Sequence, residues 1–184
     1  MKYKFLIHFI IKISKVFPKS FYILLLRLIR THENYLAIFI RFICLKNCAK
    51  SCGDNVAIFS NVYIKNIKNI EVGDNVSIHP MCYIEASGGV KIGDNVSIAH
   101  ATTIMSEEHI YDNPIINIKD QGVKYEKTII ESNVWIGAGC RVLAGSYIKQ
   151  GSIIAAGAVL NGLVNENTIV GGVPAKFIKE RIEP

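Results

Sequence analysis

The first fifty residues hold almost no acid. Glu33 stands alone against ten lysines and arginines, so this segment carries +9. They also lack a long apolar run. The longest uncharged apolar stretches here, Phe21–Leu26 and Tyr35–Ile40, are six residues each and end at Arg27 and Arg41. A membrane-spanning helix needs about 18 successive apolar residues, which argues against a simple span. A secretory signal fits no better, because Lys12, Lys15 and Lys19 interrupt the apolar stretch and no A-x-A-like site follows. Cysteine is scarce: Cys44, Cys48, Cys52, Cys82 and Cys140 contain no C-x-x-C pair, and no histidine lies near the first three. That pattern argues against a metal site, and without a secretion signal the thiols read as reduced, small, buried side chains of a cytoplasmic protein.

Charge is unevenly placed. Residues 51–184 hold eleven bases and fourteen acids, a charge of −3, so a basic apolar head precedes a mildly acidic body. The body is not basic and the head is too apolar to track phosphates, so nucleic acid is not an expected partner. Within the head, Lys4, His8, Lys12 and Lys15 are spaced 4, 4 and 3 and fall on one helix face, with Phe5, Phe9, Ile13 and Val16 elsewhere. Pro18 ends that helix, Ser20 is placed to cap a second, and Thr31 opens a polar break before a third apolar stretch, Tyr35–Leu45. Residues 1–50 therefore read as two or three short basic amphipathic helices. Their composition favours the membrane interface, where each base beside anionic lipid contributes roughly 1 kcal/mol; packing on one another or on a partner subunit is the alternative.

The body is a repeat. Residues 52–71, 72–91 and 92–111 are three twenty-residue blocks, each carrying one copy of GDNV. Inside each block apolar residues recur every six: Cys52, Ile58, Ile64; Val72, Ile78, Ile84; Ile92, Ile98, Ile104. The period resumes at Ile130 and runs through Ile136, Val142, Ile148, Ile154 and Leu160. Six matches neither a helix nor a simple strand; it matches a short strand plus a turn, repeated as the faces of a prism. Gly and Asn suit corners whose backbone conformations branched residues resist. From Ile104 to Ile130 is 26 residues, not a multiple of six, so residues 105–128 leave the prism as an excursion loop; loops of that length are uncommon and often functional.

This pattern, with IGDNVSIAHATTIMSEEHIY, NVWIGAGCRVLAG and the ending GGVPAKFIKER, resembles the hexapeptide-repeat acyltransferases. The nearest likeness is to polysaccharide O-acetyltransferases and to the maltose and galactoside acetyltransferases. The resemblance implies a mainly β fold: a left-handed parallel β-helix over residues 51–184, preceded by the helical segment 1–50 and ended by a short C-terminal helix. It also implies acetyl-CoA as co-substrate, no metal, and a homotrimer with three sites at subunit interfaces. The acceptor it implies is a sugar or polysaccharide.

The same resemblance assigns residues. His109, on the loop and seventeen residues after Ile92, matches the family's catalytic base. A hydroxyl is a weak nucleophile at neutral pH, so a positioned imidazole that takes its proton is the chemistry required. The backbone N–H of Ala138, just after Trp135, Ile136 and Gly137, matches the oxyanion donor. Ala156, Asn161, Gly162, Lys176 and Lys179 match CoA-binding positions, with Trp135 and Gly137 beside them. His79 and Glu85 are the acceptor-binding candidates, and His100 points outward. The head implies contact with the inner face of the cytoplasmic membrane. The rival readings are a small free sugar or an antibiotic as acceptor, a non-catalytic structural β-helix, and a zinc enzyme of the carbonic-anhydrase type.

Overall fold

The computed structural model describes residues 9–181. Residues 51–181 wind into a three-faced prism of parallel strands, a left-handed parallel β-helix. The first face stacks Ser51–Cys52, Ile70–Val72, Val90–Ile92, Thr128–Ile130, Tyr147–Ile148 and Leu163–Val164. The second stacks Ala57–Ile58, Ser77–Ile78, Ser97–Ile98, Trp135–Ile136, Ile153–Ile154 and Thr168–Gly171. The third stacks Tyr63–Lys65, Tyr83–Glu85, Thr103–Ile104, Arg141–Val142 and Val159–Leu160.

Register follows the six-residue period. Ile58 pairs with Ile78, Ile78 with Ile98, Ile98 with Ile136 and Ile136 with Ile154. These inward isoleucines are almost wholly buried, and each removes from water an area worth about 1.5–3 kcal/mol. The GDN corners have a reason for every letter. A Cβ on Gly73 would lie 2.8 Å from the carbonyl carbon of Gly93, so the coils could not stack. The Asp94 carboxylate accepts from the Asp74 N–H at 2.7 Å, one coil away. Asn75 is left-handed (φ 57°) and donates through Nδ2 to Asn95 at 3.1 Å, in a ladder begun by Asn55.

The coils are not identical. Two extra residues enter each of the first two coils, always between the third face and the first. One insertion passes through left-handed Asn66 into a 3-10 turn, Ile67–Asn69; the other is Ala86–Gly89. The long excursion leaves from the same corner, and Thr128 is already back on the first face. One corner therefore absorbs all the irregular length, while the other two stay in strict period.

In the head, residues 9–14 are helical, α1 spans Lys19–Leu28 and α2 spans Tyr35–Cys48. Lys4, Phe5 and His8 of the expected first helix lie outside the described residues. Pro18, not Ser20, occupies the N-cap of α1, because Lys19 is already helical. Asn34 caps α2, its side chain accepting from the Ala37 N–H at 2.8 Å. The α2 helix lies across the open end of the prism and buries Phe42, Ile43, Cys44, Leu45 and Cys48.

That end poses a specific problem. Along a parallel ladder alternate residues bond to the coil before and to the coil after, so first-coil carbonyls that face away from the second coil, such as those of Cys52 and Ile58, have no preceding coil to bond. Two bases of the head answer it. Arg41 Nε donates to the Ile58 carbonyl at 2.8 Å, and Lys46 Nζ donates to the Cys52 carbonyl at 2.8 Å. Arg41 also ties the chain between the helices, through the carbonyls of Ile29 at 2.8 Å and His32 at 3.0 Å. These two charges serve the fold; Arg41 is only 2% exposed.

The other end corrects an expectation. Lys176–Glu180 is not a helix but a strand, antiparallel to Thr168–Gly171. The last coil leaves an unpaired edge, and a returning strand satisfies it where a helix would not.

Candidate active site

The excursion begins as an antiparallel hairpin, Glu107–His109 against Val123–Tyr125, with His109 opposite Val123. His109 is exposed. Strand alternation puts Glu107 and His109 on one side and Glu108 on the other. Each side is pinned. Lys65 Nζ meets Glu107 at 2.8 Å, and Lys124 Nζ meets Glu108 at 3.3 Å. The hydrogen bond from Lys65 holds the Glu107 carboxyl below its ordinary range, with the His109 charge a smaller contributor. Beyond the hairpin the turn is ordered by Gln121, whose Nε2 donates to the carbonyls of Asn113 and Ile116. It exposes Tyr111, Ile115, Ile116 and Ile118.

The root of the hairpin is a buried polar cluster. Glu85 is completely buried. Its carboxylate accepts from the Ser87 N–H at 2.8 Å, from the Ser87 hydroxyl and from Asn66 Nδ2 at 3.3 Å. The Ser106 hydroxyl lies 2.8 Å from the Glu85 carbonyl and 3.2 Å from its carboxylate, and accepts from the Gly88 N–H at 3.0 Å. Glu85 thus faces inward and grips the start of the loop; it offers no open carboxylate to an acceptor, contrary to the expectation for it. Sequence reading missed Lys65, Ser87 and Ser106 because they come from three separate coils and join only at this corner.

The second-to-third corner looks different. Reading down it, the residue after each inward residue of the second face (Ile58, Ile78, Ile98, Ile136, Ile154 and Val170) is Phe59, His79, Ala99, Gly137, Ala155 and Gly171, so side chains shrink toward the C-terminal coils. His79 is half-buried and stacks on Phe59 with ring centres 4.8 Å apart. His100 is exposed, as expected. A Cβ at Gly137 would lie 2.6 Å from the Ala156 nitrogen, so only glycine fits. The Ala138 carbonyl accepts from the Gly157 N–H at 2.8 Å, and Ala156 sits one coil below it on the surface. Trp135 projects from the second face, half-exposed, beside Ser97 and Ile153. Lys176 and Lys179 lie exposed on the returning strand that extends this face.

The expected residues therefore form two groups on one chain. His109, Asn161 and Gly162 belong to the third-to-first corner; Gly137, Ala138 and Ala156 belong to the second-to-third corner. A single chain does not bring His109 and the Ala138 N–H onto one corner. Cys82 and Cys140 lie on the buried inner side of the second-to-third corner, and burial pushes both thiols up. Burial pushes Cys44 and Cys52 up to about 12, which leaves them unreactive at neutral pH.

Comparison with known proteins agrees with this architecture. Residues 127–162 match the family described as bacterial transferase hexapeptide (six repeats). A Saccharomyces cerevisiae protein named as an acetyltransferase is 36% identical over 134 residues, covering 72% of this chain and 67% of that one. The chain belongs to the hexapeptide-repeat transferase family. An Escherichia coli relative, named for O-acetyl transfer in lipopolysaccharide biosynthesis, is 42% identical over 52 residues, which is 28% of this chain and 26% of that one. The chain thus matches only about a quarter of that relative's length. Among solved structures, a Clostridium difficile maltose O-acetyltransferase superposes with TM-score 0.74 at 26% identity, covering 90% of this chain and 87% of that one. A Vibrio cholerae hexapeptide-repeat acetyltransferase complexed with acetyl-CoA shares the fold, with TM-score 0.79 at 23% identity over 90% of this chain and 87% of that one.

Proposed function

We propose that this chain is an acetyl-CoA-dependent O-acetyltransferase. Its acceptor is a sugar hydroxyl of a bacterial surface polysaccharide or of its lipid-linked precursor. The observation that carries the reading is His109, exposed on a hairpin whose root and sides are pinned by Glu85, Ser106 and Lys65. An exposed histidine on a rigid projection suits a base that must meet a substrate held elsewhere.

The reaction balances on this chain's groups. His109 takes the acceptor's proton as its oxygen forms a bond to the thioester carbonyl carbon. The Ala138 N–H donates to the oxygen that gains charge. The C–S bond then breaks, and the imidazolium returns the proton to the leaving thiolate. Because His109 and Ala138 occupy different corners, the site is complete only when the hairpin of one copy meets the bare corner of another, which favours a trimer. The small side chains of that corner leave room for a pantetheine arm, and Lys176 and Lys179 supply charge for the CoA phosphates. His79, stacked near the same corner, is the acceptor-side residue. The name of the Escherichia coli relative supports a polysaccharide acceptor, and the Clostridium difficile neighbour supports maltose as the small-sugar alternative to test. Such an enzyme works in the cytoplasm, at the inner face of the membrane where lipid-linked glycans are made.

Thiol release from acetyl-CoA, measured with maltose and with an isolated surface glycan, tests the reading. His109→Ala is expected to lower kcat by roughly 10²–10⁴-fold with an unchanged melting temperature and oligomeric state. A folded variant that keeps near-wild-type kcat overturns it.

A further inference from the structure

A cavity of about 280 Å³ lies between α1 and the third face of the prism, and its lining includes Lys65, which pins the His109 hairpin through Glu107. Ile23, Leu26 and Arg27 line it from one face of α1, and Arg30 lines it from the turn that follows. Tyr63 and Tyr83 line it from the prism, and Arg30 stacks over the Tyr63 ring at 3.8 Å. Among the described residues, no carboxylate lines the cavity and neither Arg27 nor Arg30 enters an ion pair.

Arg41 adjoins the same cavity and strengthens the case. Its three hydrogen bonds all go to neutral carbonyls, so its charge is buried and unneutralised. Its Nη2 is the one buried side-chain polar atom without a partner among the described residues. An unneutralised buried cation beneath two further arginines makes a strongly anion-attracting hollow, because the surrounding dielectric screens it weakly. The second independent feature is the outward side of the same helix. Phe21, Leu24 and Leu28, spaced 3 and 4, form an exposed ridge that Phe17 extends by stacking on Phe21 at 4.9 Å. A cationic hollow and an exposed apolar ridge carried on different sides of one helix fit a ligand with an anionic head and an apolar tail long enough to follow the helix surface.

We propose that this cavity binds the phosphate headgroup of a membrane lipid, with the lipid tails against the Phe21–Leu28 ridge. Arginine forks match phosphate oxygens bidentately, and a phosphomonoester presents more charge and more acceptors than a diester. The inference draws its setting, a membrane-side enzyme, from the proposed function, but neither Arg27 nor Arg30 takes part in acetyl transfer or holds the His109 hairpin.

The test uses the full chain and vesicle co-sedimentation, with phosphatidylcholine vesicles carrying either phosphatidic acid or phosphatidylglycerol at matched surface charge. The expected result is about tenfold tighter binding to phosphatidic acid, the effect of one added charge-assisted contact. The variant Arg27→Ala/Arg30→Ala loses that preference. The variant Lys12→Ala/Lys15→Ala, outside the cavity, weakens both bindings and keeps it. Physiological inorganic phosphate, which has no tail, leaves it intact. Equal binding to both vesicles, or a preference that survives Arg27→Ala/Arg30→Ala, overturns the proposal. So does abolition of the preference by inorganic phosphate, or a changed oligomeric state in the Arg27→Ala/Arg30→Ala variant, which would mark the cavity as a subunit interface. No readout involves acetyl-CoA, so failure here leaves the His109 reading standing, and failure there leaves this one.

Discussion

The prism and its helical head use similar apolar and basic residues, yet they hold together differently. In the prism every inward position is shared between coils: Ile98 packs beneath Ile78 and above Ile136, so each side chain stabilises two neighbours. In the head α2 is bound most fully into that system, through its buried face and through Arg41 and Lys46 on the first-coil carbonyls. The segment before it adds the Arg30 carbonyl, which accepts from the Asn61 N–H, and Glu33, which accepts from the Ser60 hydroxyl. The α1 helix touches the core chiefly through Tyr22 and leaves Phe21, Leu24 and Leu28 in the open. A periodic body thus spreads stability evenly, while the head concentrates it at its contacts with the first coil.

Three substitutions or conditions sharpen that comparison, the largest effect first. Gly137→Val inserts side-chain atoms where even a Cβ would stand 2.6 Å from the next coil's backbone. Loss of about 4 kcal/mol or more is expected, seen as insoluble expression or a collapsed urea midpoint. A normal midpoint would mean that the coils tolerate local separation. Arg41→Met keeps the apolar stem and removes three hydrogen bonds from carbonyls at the head–body junction. Roughly 2–4 kcal/mol should be lost, with early hydrogen exchange in α2 and the first coil rather than in the later coils. Uniform exchange through the body would show that the two regions unfold as one.

The smallest effect is set by pH. The Glu107 carboxyl is held below its ordinary range first by the hydrogen bond from Lys65, and Glu71 is held low by Lys127 and then Lys50. A carboxylate lowered in the folded state adds stability that is complete above its unfolded value and fades as pH falls toward the folded one. The hairpin should therefore be cut faster by an acid-active protease as pH drops below about 4.5, the ordinary value for the group. The change should be only a few-fold, since the pair is partly exposed and screened by solvent. Lys65→Met should flatten the dependence; an unchanged profile would show that Glu85 and Ser106 alone hold the loop.

Much of this was legible in advance, and the residues show why. The six-residue spacing of isoleucines placed all three faces, because an inward position in a stacked coil admits little else. Counting from Ile104 to Ile130 located the excursion and with it His109. Ser20, Glu85 and the ending were misread. Ser20 was read from its residue type, and Glu85 and the ending from the resemblance, while the fate of each was set by its surroundings in the fold: Lys19 already in a helix, Ser87 and Ser106 around the Glu85 carboxylate, and the bare edge beside Thr168–Gly171.

The sequence by itself determined the prism, its register and the place where the chain leaves it, since a repeat writes long-range pairing as local spacing. Only the tertiary structure decided what happens at the two ends and at the odd corner. There the periodic pairing stops, and unpaired carbonyls and N–H groups must find partners wherever the chain supplies them. Arg41, Lys46 and Lys176–Glu180 take that role at the ends, and Glu85 holds the corner from which His109 projects.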